Sequence, residues 1–293
     1  MKVGFIGTGR MGYAMARRLI EARHDLGAFN RDPDKIKGLV DAGAKAMTSI
    51  AGAASYGEAV FTMLADDAAL DEVAGQNGGL LESLPRGGIH ICSGTHGIGV
   101  IRKIKGAHAA LGQILVAAPM LGRPEMVSSG QAGVVIAGPV EALRRCAPLF
   151  GAIARRSIEA GVEPEAATAI KLANNFVLGC AIEAMGEGFS LVRKYGVAPQ
   201  VFNDVMTDGL FACPAYKAYG KIIVEESYDR VGQMALLGLK DANLALAAAE
   251  AVGVPLPSAN VWRDRLVGAV AHGDGDKDWA VMALEQARLS GLA

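Results

Sequence analysis

Val3-Gly4-Phe5-Ile6-Gly7-Thr8-Gly9-Arg10-Met11-Gly12 opens the chain and decides how the rest is read. Residues 3–6 form a short apolar strand, and a helical pattern runs over 11–22. Between them lies Gly-x-Gly-x-x-Gly. In that setting Gly7 permits a tight turn, Gly9 lets a pyrophosphate approach the backbone, and Gly12 lets the helix pack closely on the strand. The free N–H groups and the positive end of the helix then face the phosphates. Strand, glycine turn and helix in this order predict a dinucleotide site that also includes Thr8, Arg10 and Met11.

Working outward, the same alternation continues. Residues 26–29, 59–64, 89–92, 114–117 and 133–137 read as further strands, with helical patterns at 34–41, 68–73, 100–111 and 140–149. Strands alternating with helices predict a parallel sheet covered on both faces. The alternation then stops. A helical pattern rich in Ala, Leu and Met covers 165–194 without an internal proline, and shorter ones follow at 198–206, 234–252 and 258–271. A last helix starts near Trp279, after the turn-rich His272-Gly273-Asp274-Gly275-Asp276. Pro164 precedes the long helix, where proline is tolerated because the first N–H groups are unbonded anyway. The predicted fold is therefore an α/β Rossmann domain, a doubly wound parallel sheet, over 1–163. An all-helical substrate and dimerisation domain over 164–293 follows, joined to it by the long helix.

Composition agrees. At roughly 150 residues per domain, 293 residues predict two domains. A hydrophobic fraction of 51% against 20% charged excludes disorder. The formal net charge of -1 gives no support for nucleic acid, an anionic membrane or a strongly acidic partner. Cys92, Cys146, Cys180 and Cys213 are widely separated, and His24, His90, His96, His108 and His272 show no metal-binding spacing, so neither a disulfide framework nor a metal site is expected. The N-terminal apolar stretch is glycine-broken and meets Arg10 at once, unlike a signal peptide, and no uninterrupted apolar run approaches ~18 residues. A cytoplasmic protein is expected.

The end of the second strand bears on cofactor choice. An NAD-preferring site usually shows an acid ~20 residues beyond the glycines, accepting from the ribose 2′-OH. Here the position holds Asn30, followed by Arg31, with Lys35 one helical turn on. Asn30 does not repel a 2′-phosphate, and Arg31 can stack on adenine and pair with that phosphate. NADP(H) is the expected cofactor. Later in the chain, Lys171 and Asn175 lie four apart on the long helix and share a face. Apolar Ile170, Leu172, Phe176 and Val177 predict that this helix is largely buried. Desolvation there disfavours a charged Lys171 and moves it toward the range useful for proton transfer.

Taken together, Gly7-x-Gly9-x-Met11-Gly12-x-x-Met15-Ala16, Asn30-Arg31 and Lys171-x-x-x-Asn175 resemble the β-hydroxyacid dehydrogenase family. That family includes 3-hydroxyisobutyrate and tartronate semialdehyde dehydrogenases and the glyoxylate/succinic semialdehyde reductases. The resemblance covers nearly the whole chain, including Lys240-Asp241 and the segment 273–278. It implies that Lys171 protonates the carbonyl oxygen in reduction and takes the proton back in alcohol oxidation. It implies that Asn175 holds the substrate hydroxyl, with Asn174, about 100° round the helix, the weaker candidate. Met63, Leu64, Ser93, Thr95 and Lys240 join the cofactor site by the same resemblance, and Ser93, Leu121, Gly122, Arg123 and Asn174 the substrate site. A homodimer or homotetramer is implied, paired through the helical domain.

Two segments depart from the family. A Ser-Thr pair is common after the fourth strand, whereas this chain has Ser93-Gly94-Thr95-His96, so that Thr95 or His96 stands in for the threonine. A lone histidine in a glycine-rich loop reads more readily as structural or solvated than as catalytic. The family's Pro-Val-Ser-Gly-Gly is replaced by Pro119-Met120-Leu121-Gly122-Arg123, followed by Pro124. Either Arg123 binds an acid or the substrate is not a small hydroxy acid; pairing of Arg123 with Glu125 or with a partner subunit fits equally. The expected activity is hydride transfer between NADP(H) and a small carbonyl or hydroxy compound, a β-hydroxyacid or short aldehyde. An imine reductase on the same fold is the runner-up, although that group usually replaces the lysine that this chain keeps. A non-catalytic NADP-binding module predicts loss of the proton-transfer residue and fits less well.

Overall fold

A computed structural model describes residues 1–292. Two compact units divide the chain, Met1–Lys171 and Leu172–Ala293. The first contains strands β1 (Lys2–Ile6), β2 (Asp25–Phe29), β3 (Lys45–Ala46), β4 (Ala59–Thr62), β5 (Ile89–Cys92), β6 (Ile114–Ala117), β7 (Met120–Leu121), β8 (Gly133–Ile136) and β9 (Arg156–Glu159). Its helices are α1 (Arg10–Glu21), α2 (Lys37–Asp41), α3 (Ile50–Ala54), α4 (Asp67–Gly75), α5 (Leu80–Ser83), α6 (Ile98–Ala110), α7 (Pro124–Ser128) and α8 (Val140–Ile153).

Six strands form one parallel sheet in the order β3-β2-β1-β4-β5-β6. The strand order reverses between β1 and β4, and in a doubly wound sheet ligands bind beyond the carboxyl ends of the strands at that reversal. The central strands are buried on both faces, β4 and β5 completely, as helices on each side require. Val3, Phe5, Phe61, Ile89 and Ile91 pack with Met15 and Leu19 of α1 on one side. Ile6, Val60, Ile50 and Leu80 pack on the other.

The strand read at 133–137 is not part of this sheet. As β8 it pairs antiparallel with β7 and parallel with β9 in a separate three-stranded sheet. Alternation along the sequence shows that a strand is present but not which edge it joins, and two-residue β7 is too short to be seen as a period.

Helix α9 (Pro164–Lys194) begins in the first unit and runs on into the second. Its start is pinned from α6, where Lys105 Nζ reaches Glu163 at 2.8 Å and Glu165 at 2.7 Å. By length and composition α9 is apolar enough to cross a membrane. Gly179, however, is buried against the Trp262 ring, with room for no side chain, a contact of a packed core helix.

The second unit continues with α10 (Pro199–Asp208), α11 (Pro214–Glu225), α12 (Ala235–Glu250), α13 (Pro257–Ala271) and α14 (Met282–Leu289). Its core is an aromatic chain: Trp262 meets Trp279 edge-on at 6.2 Å, and Trp279 Nε1 donates to Tyr219 Oη at 2.8 Å. Ile182, Met185, Phe189 and Leu266 surround it. Helix α11 is absent from the sequence reading because its Pro-Ala-Tyr-Lys start and internal Gly220 blur the helical period.

Candidate active site

At the β1–α1 junction Gly7 sits at φ +93°, a region side chains avoid, and its N–H donates to Phe29 O at 3.1 Å. A Cβ on Gly7 would lie 2.4 Å from Met63 O, and one on Gly12 would lie 2.0 Å from Gly7 O. Nothing lies within 4 Å of a Cβ built on Gly9. Two glycines are thus demanded by the fold, whereas Gly9 keeps the outer face of the turn open. Gly9 is also the N-cap of α1 and offers the first-turn N–H groups no side-chain acceptor, the arrangement in which a helix start receives an anion. A cavity of about 980 Å³ lies here, lined by Thr8, Gly9, Arg10, Tyr13, Lys35 and Glu125 among others. These features fit the diphosphate of a dinucleotide.

Asn30 follows β2 with both ends of its amide engaged. Nδ2 donates to Thr8 Oγ1 at 3.0 Å, and Oδ1 accepts from Asp32 N at 3.0 Å. Asn30 therefore ties the β2 turn to the glycine turn. Arg31 is exposed, and Lys35 stands 3.9 Å from Asp32. Asp34 also borders the cavity, but its carboxylate is held by Lys37 at 2.7 Å. Arg10 Nη2 reaches Glu125 Oε1 at 3.2 Å, tying the glycine turn to α7.

On α9, Lys171 is half-buried and Asn175 is buried one turn later. Leu172 is buried as expected, but Ile170 and Val177 are exposed, at 42% and 63%. The helix buries one stripe, not its whole girth, because its period places 170 and 177 together on the other side. Within the second unit, Asn175 Nδ2 donates to Asp241 Oδ2 at 2.7 Å, and Gln233 Nε2 donates to the same oxygen at 2.9 Å. Lys240 Nζ lies 3.2 Å from Asp241 Oδ1. Asp241 is only 3% exposed; two amide donors meet its Oδ2, and the Lys240 ammonium offsets the burial of Oδ1, which accepts no hydrogen bond among the described residues. Asn174 is exposed, with its Nδ2 3.4 Å from Asn175 Oδ1.

Comparison with known proteins bears on what this assembly is. Residues 2–161 match the family model of the NAD binding domain of 6-phosphogluconate dehydrogenase. Residues 166–284 match that of the NAD-binding region of NADP-dependent 3-hydroxyisobutyrate dehydrogenase. An uncharacterized oxidoreductase of Bacillus subtilis, YfjR, is 38% identical over 96% of this chain and 98% of its own length. The chain belongs to the β-hydroxyacid dehydrogenase family. Glyoxylate/succinic semialdehyde reductase 2 of Arabidopsis thaliana is 28% identical over 96% of this chain and 78% of that protein. In fold, the chain resembles Mycobacterium tuberculosis 3-hydroxyisobutyrate dehydrogenase, with a TM-score of 0.87 at 24% identity over 97% and 98% of the two chains. As a member of that family it is an oxidoreductase with an NAD(P)-binding domain.

Its departures from the family pattern have structural partners. Ser93 N–H donates to Thr62 O at 2.9 Å, and its buried Oγ has no hydrogen-bond partner among the described residues. A Cβ on Gly94 would lie 2.3 Å from His96 Nε2 and 2.8 Å from Leu64 O. Glycine at 94 and histidine at 96 therefore come as a pair, the ring filling room that a threonine would take. His96 is fully buried, not solvated, with Nδ1 3.2 Å from Asp67 Oδ1. Asp67 also accepts Gly97 N–H at 3.0 and 3.2 Å. Thr95, beside it, is half-buried.

The Leu121 segment is more ordered than a loop. Leu121 ends β7 and packs beside the Ala117, Val135, Ala137 and Ala167 cluster. Gly122 turns at φ +137°, Arg123 caps α7, and Pro124 takes its first position, where no N–H is needed. Sequence reasoning missed Asp67 and Gln233. Neither sits in a motif, and each acts on a residue distant in sequence. A carboxylate at Asp241 inside an Ala-Leu helix was the readable signal for its own buried role.

Proposed function

We propose that this enzyme moves a hydride between NADP(H) and a small carbonyl or hydroxy compound, with Lys171 as general acid and base. The observation that carries this reading is the buried Asn175, its amide held by Asp241, one helical turn beyond Lys171. A buried amide held on a buried carboxylate is rigid, and a rigid amide one turn from the lysine suits the positioning of a polar ligand. Bound NADPH supplies the hydride.

The chain's own residues do the rest. Gly9 and the open first turn of α1 receive the diphosphate. Arg31 and Lys35 pair with the 2′-phosphate, and neutral Asn30 leaves that phosphate unopposed. Met63 and Leu64, flanking Gly7, with Ser93, Thr95 and Lys240, complete the cofactor contacts. Lys171 Nζ gives its proton to the carbonyl oxygen as the alcohol forms and retrieves it in oxidation. Asn175 holds the hydroxyl. Leu121, Gly122 and Arg123 shape the far end of the substrate, Leu121 contributing an apolar wall.

Leu121 also favours a second reading, reduction of a cyclic imine. A panel of short aldehydes, keto acids and cyclic imines, each with NADPH and NADH, separates the readings. NADPH-dependent turnover of aldehydes or keto acids is expected. Turnover of imines alone would replace the carbonyl reading. Tight NADPH binding without turnover of any of them would reduce the protein to a binding module.

A further inference from the structure

We propose that Gln233 is a positioning residue for the reaction: it holds Asp241, which fixes how the amide of Asn175 is turned toward a ligand. The proposal deepens the function above and rests on it where substrate is concerned. Its geometry lies wholly within the second unit.

Gln233 is anchored before it reaches Asp241. The buried Asp278 accepts Gly232 N–H at 2.8 Å and Gln233 N–H at 3.4 Å through Oδ2, and Ala280 N–H at 3.0 Å through Oδ1. Trp279 N–H donates to Gln233 O at 2.8 Å. The turn around 273–278 is docked to the start of α12 by two more bonds, Ala235 N–H to Lys277 O at 2.8 Å and Leu236 N–H to Gly275 O at 3.0 Å. The backbone of Gln233 is therefore fixed from both sides, and its side chain meets that of Asp241, eight residues on.

The chemistry at Asp241 dictates how both amides are turned. An ionised carboxylate only accepts, so Gln233 and Asn175 must each present NH₂ to Oδ2. Asn175 cannot rotate its NH₂ outward without leaving Oδ2 short of a donor in a buried place, which is costly. What remains are the second N–H of Nδ2 and one lone pair of Oδ1, whose other side meets Asn174 Nδ2 at 3.4 Å. A ligand meeting Asn175 therefore finds both groups in fixed directions, an acceptor for an alcohol O–H and a donor for a carbonyl oxygen. Gln233 contributes by keeping Oδ2 doubly engaged, so that Asp241 does not turn away from Asn175.

The test uses full-length Gln233→Leu and Gln233→Glu. In the parent, the side-chain amide ¹⁵N–¹H pair of Asn175, assigned by its loss in Asn175→Asp, should give one sharp set of signals. In Gln233→Leu it should shift and broaden, with NADPH affinity held and the melting temperature lowered by a few degrees. On a substrate the parent turns over, kcat/KM should fall about tenfold in Gln233→Leu. That loss should vanish when both chains already carry Asn175→Ala. Gln233→Glu places a second carboxylate among Asp241, Lys240 and Asp278. It should be impaired at pH 8 and recover as acid protonates the introduced carboxylate, whose O–H can then donate to Asp241. Unchanged Asn175 signals in Gln233→Leu would overturn the proposal with no substrate in hand. So would an equal loss in the Asn175→Ala background, or a Gln233→Glu variant flat in pH, each of which marks a merely structural role. A parent chain that turns over nothing refutes the proposed function instead, and the Asn175 signals still decide the geometry.

Discussion

Acid should destabilise this protein through a buried relay in its nucleotide-binding unit. His90 on β5 and His108 on α6 are both fully buried. Gln113 Nε2 donates to Leu81 O and Leu84 O at 3.0 and 2.6 Å, so its Oε1 must accept from His108 Nδ1, 2.6 Å away. His108 Nε2 then accepts from His90 Nδ1 at 2.9 Å, and His90 Nε2 accepts from Thr62 Oγ1 at 2.8 Å. Every proton in the relay is assigned with both rings neutral. Burial, reinforced by His108, holds His90 well below the ordinary imidazole value of 6.5. Burial lowers His108 as well, opposed in part by its bond to Gln113.

The sign follows from linkage. Below about pH 6.5 an unfolded His90 takes up a proton that the folded one refuses, so stability is full above that value. It is lost as pH falls toward the depressed folded value. Between pH 7.5 and 5.5 an imidazole that stays neutral in the fold loses about 1.4 kcal/mol. For a unit of this size that is a fall in Tm of roughly 3–6 °C. His90→Asn keeps a donor toward His108 and removes the titration. Melting both proteins by circular dichroism at the two pH values should show the parent losing those extra degrees, whatever the absolute Tm of the variant. Glu183, raised by burial and the nearby Glu187, acts in the opposite direction, but it is common to both proteins and cancels in the difference. An equal acid shift in parent and variant would refute the reasoning.

Three further outcomes follow from the site. Lys171→Met should lower turnover by ~10²–10⁴ with NADPH affinity nearly unchanged; full activity on the true substrate would remove Lys171 from the mechanism and leave the proton donor to be found elsewhere. Buried Tyr219, which accepts from Trp279, and Tyr216, stacked on Phe211 at 4.9 Å, would have to leave their packing to serve. Arg31→Ala should weaken NADPH binding roughly ten- to a hundredfold and leave NADH nearly unaffected, as read by cofactor fluorescence titration. Gly94→Thr should lower the melting temperature, since its Cβ would meet His96 and Leu64 O; adding His96→Ala should restore part of the loss, and no restoration would show that Leu64 O is the obstacle.

What the sequence disclosed and what it withheld divide along physical lines. The glycine turn was legible because three backbone requirements fall within six residues, and the strand and helix that frame it have distinct periods. Lys171 and Asn175 were legible because a helix puts i and i+4 on one face. The second sheet was not, since β7 is two residues long and β8 looks like any apolar strand until its neighbour is known. Asp67 and Gln233 were hidden for a related reason. Each reaches its partner through the fold, Asp67 to His96 and Gln233 to Asp241, and a side-chain hydrogen bond leaves no period in the chain. His96 shows how the two kinds of information combine. Read alone, it was a histidine in a glycine-rich loop. Set against Gly94 it becomes the reason that position cannot carry a threonine, so a departure from the family's pattern turns out to be two coupled changes. The same coupling holds around Asn175. Its place on α9 could be read from spacing, but how its amide is turned is decided by Asp241, Gln233 and Asp278. All three lie far along the chain from it, Asp241 by 66 residues.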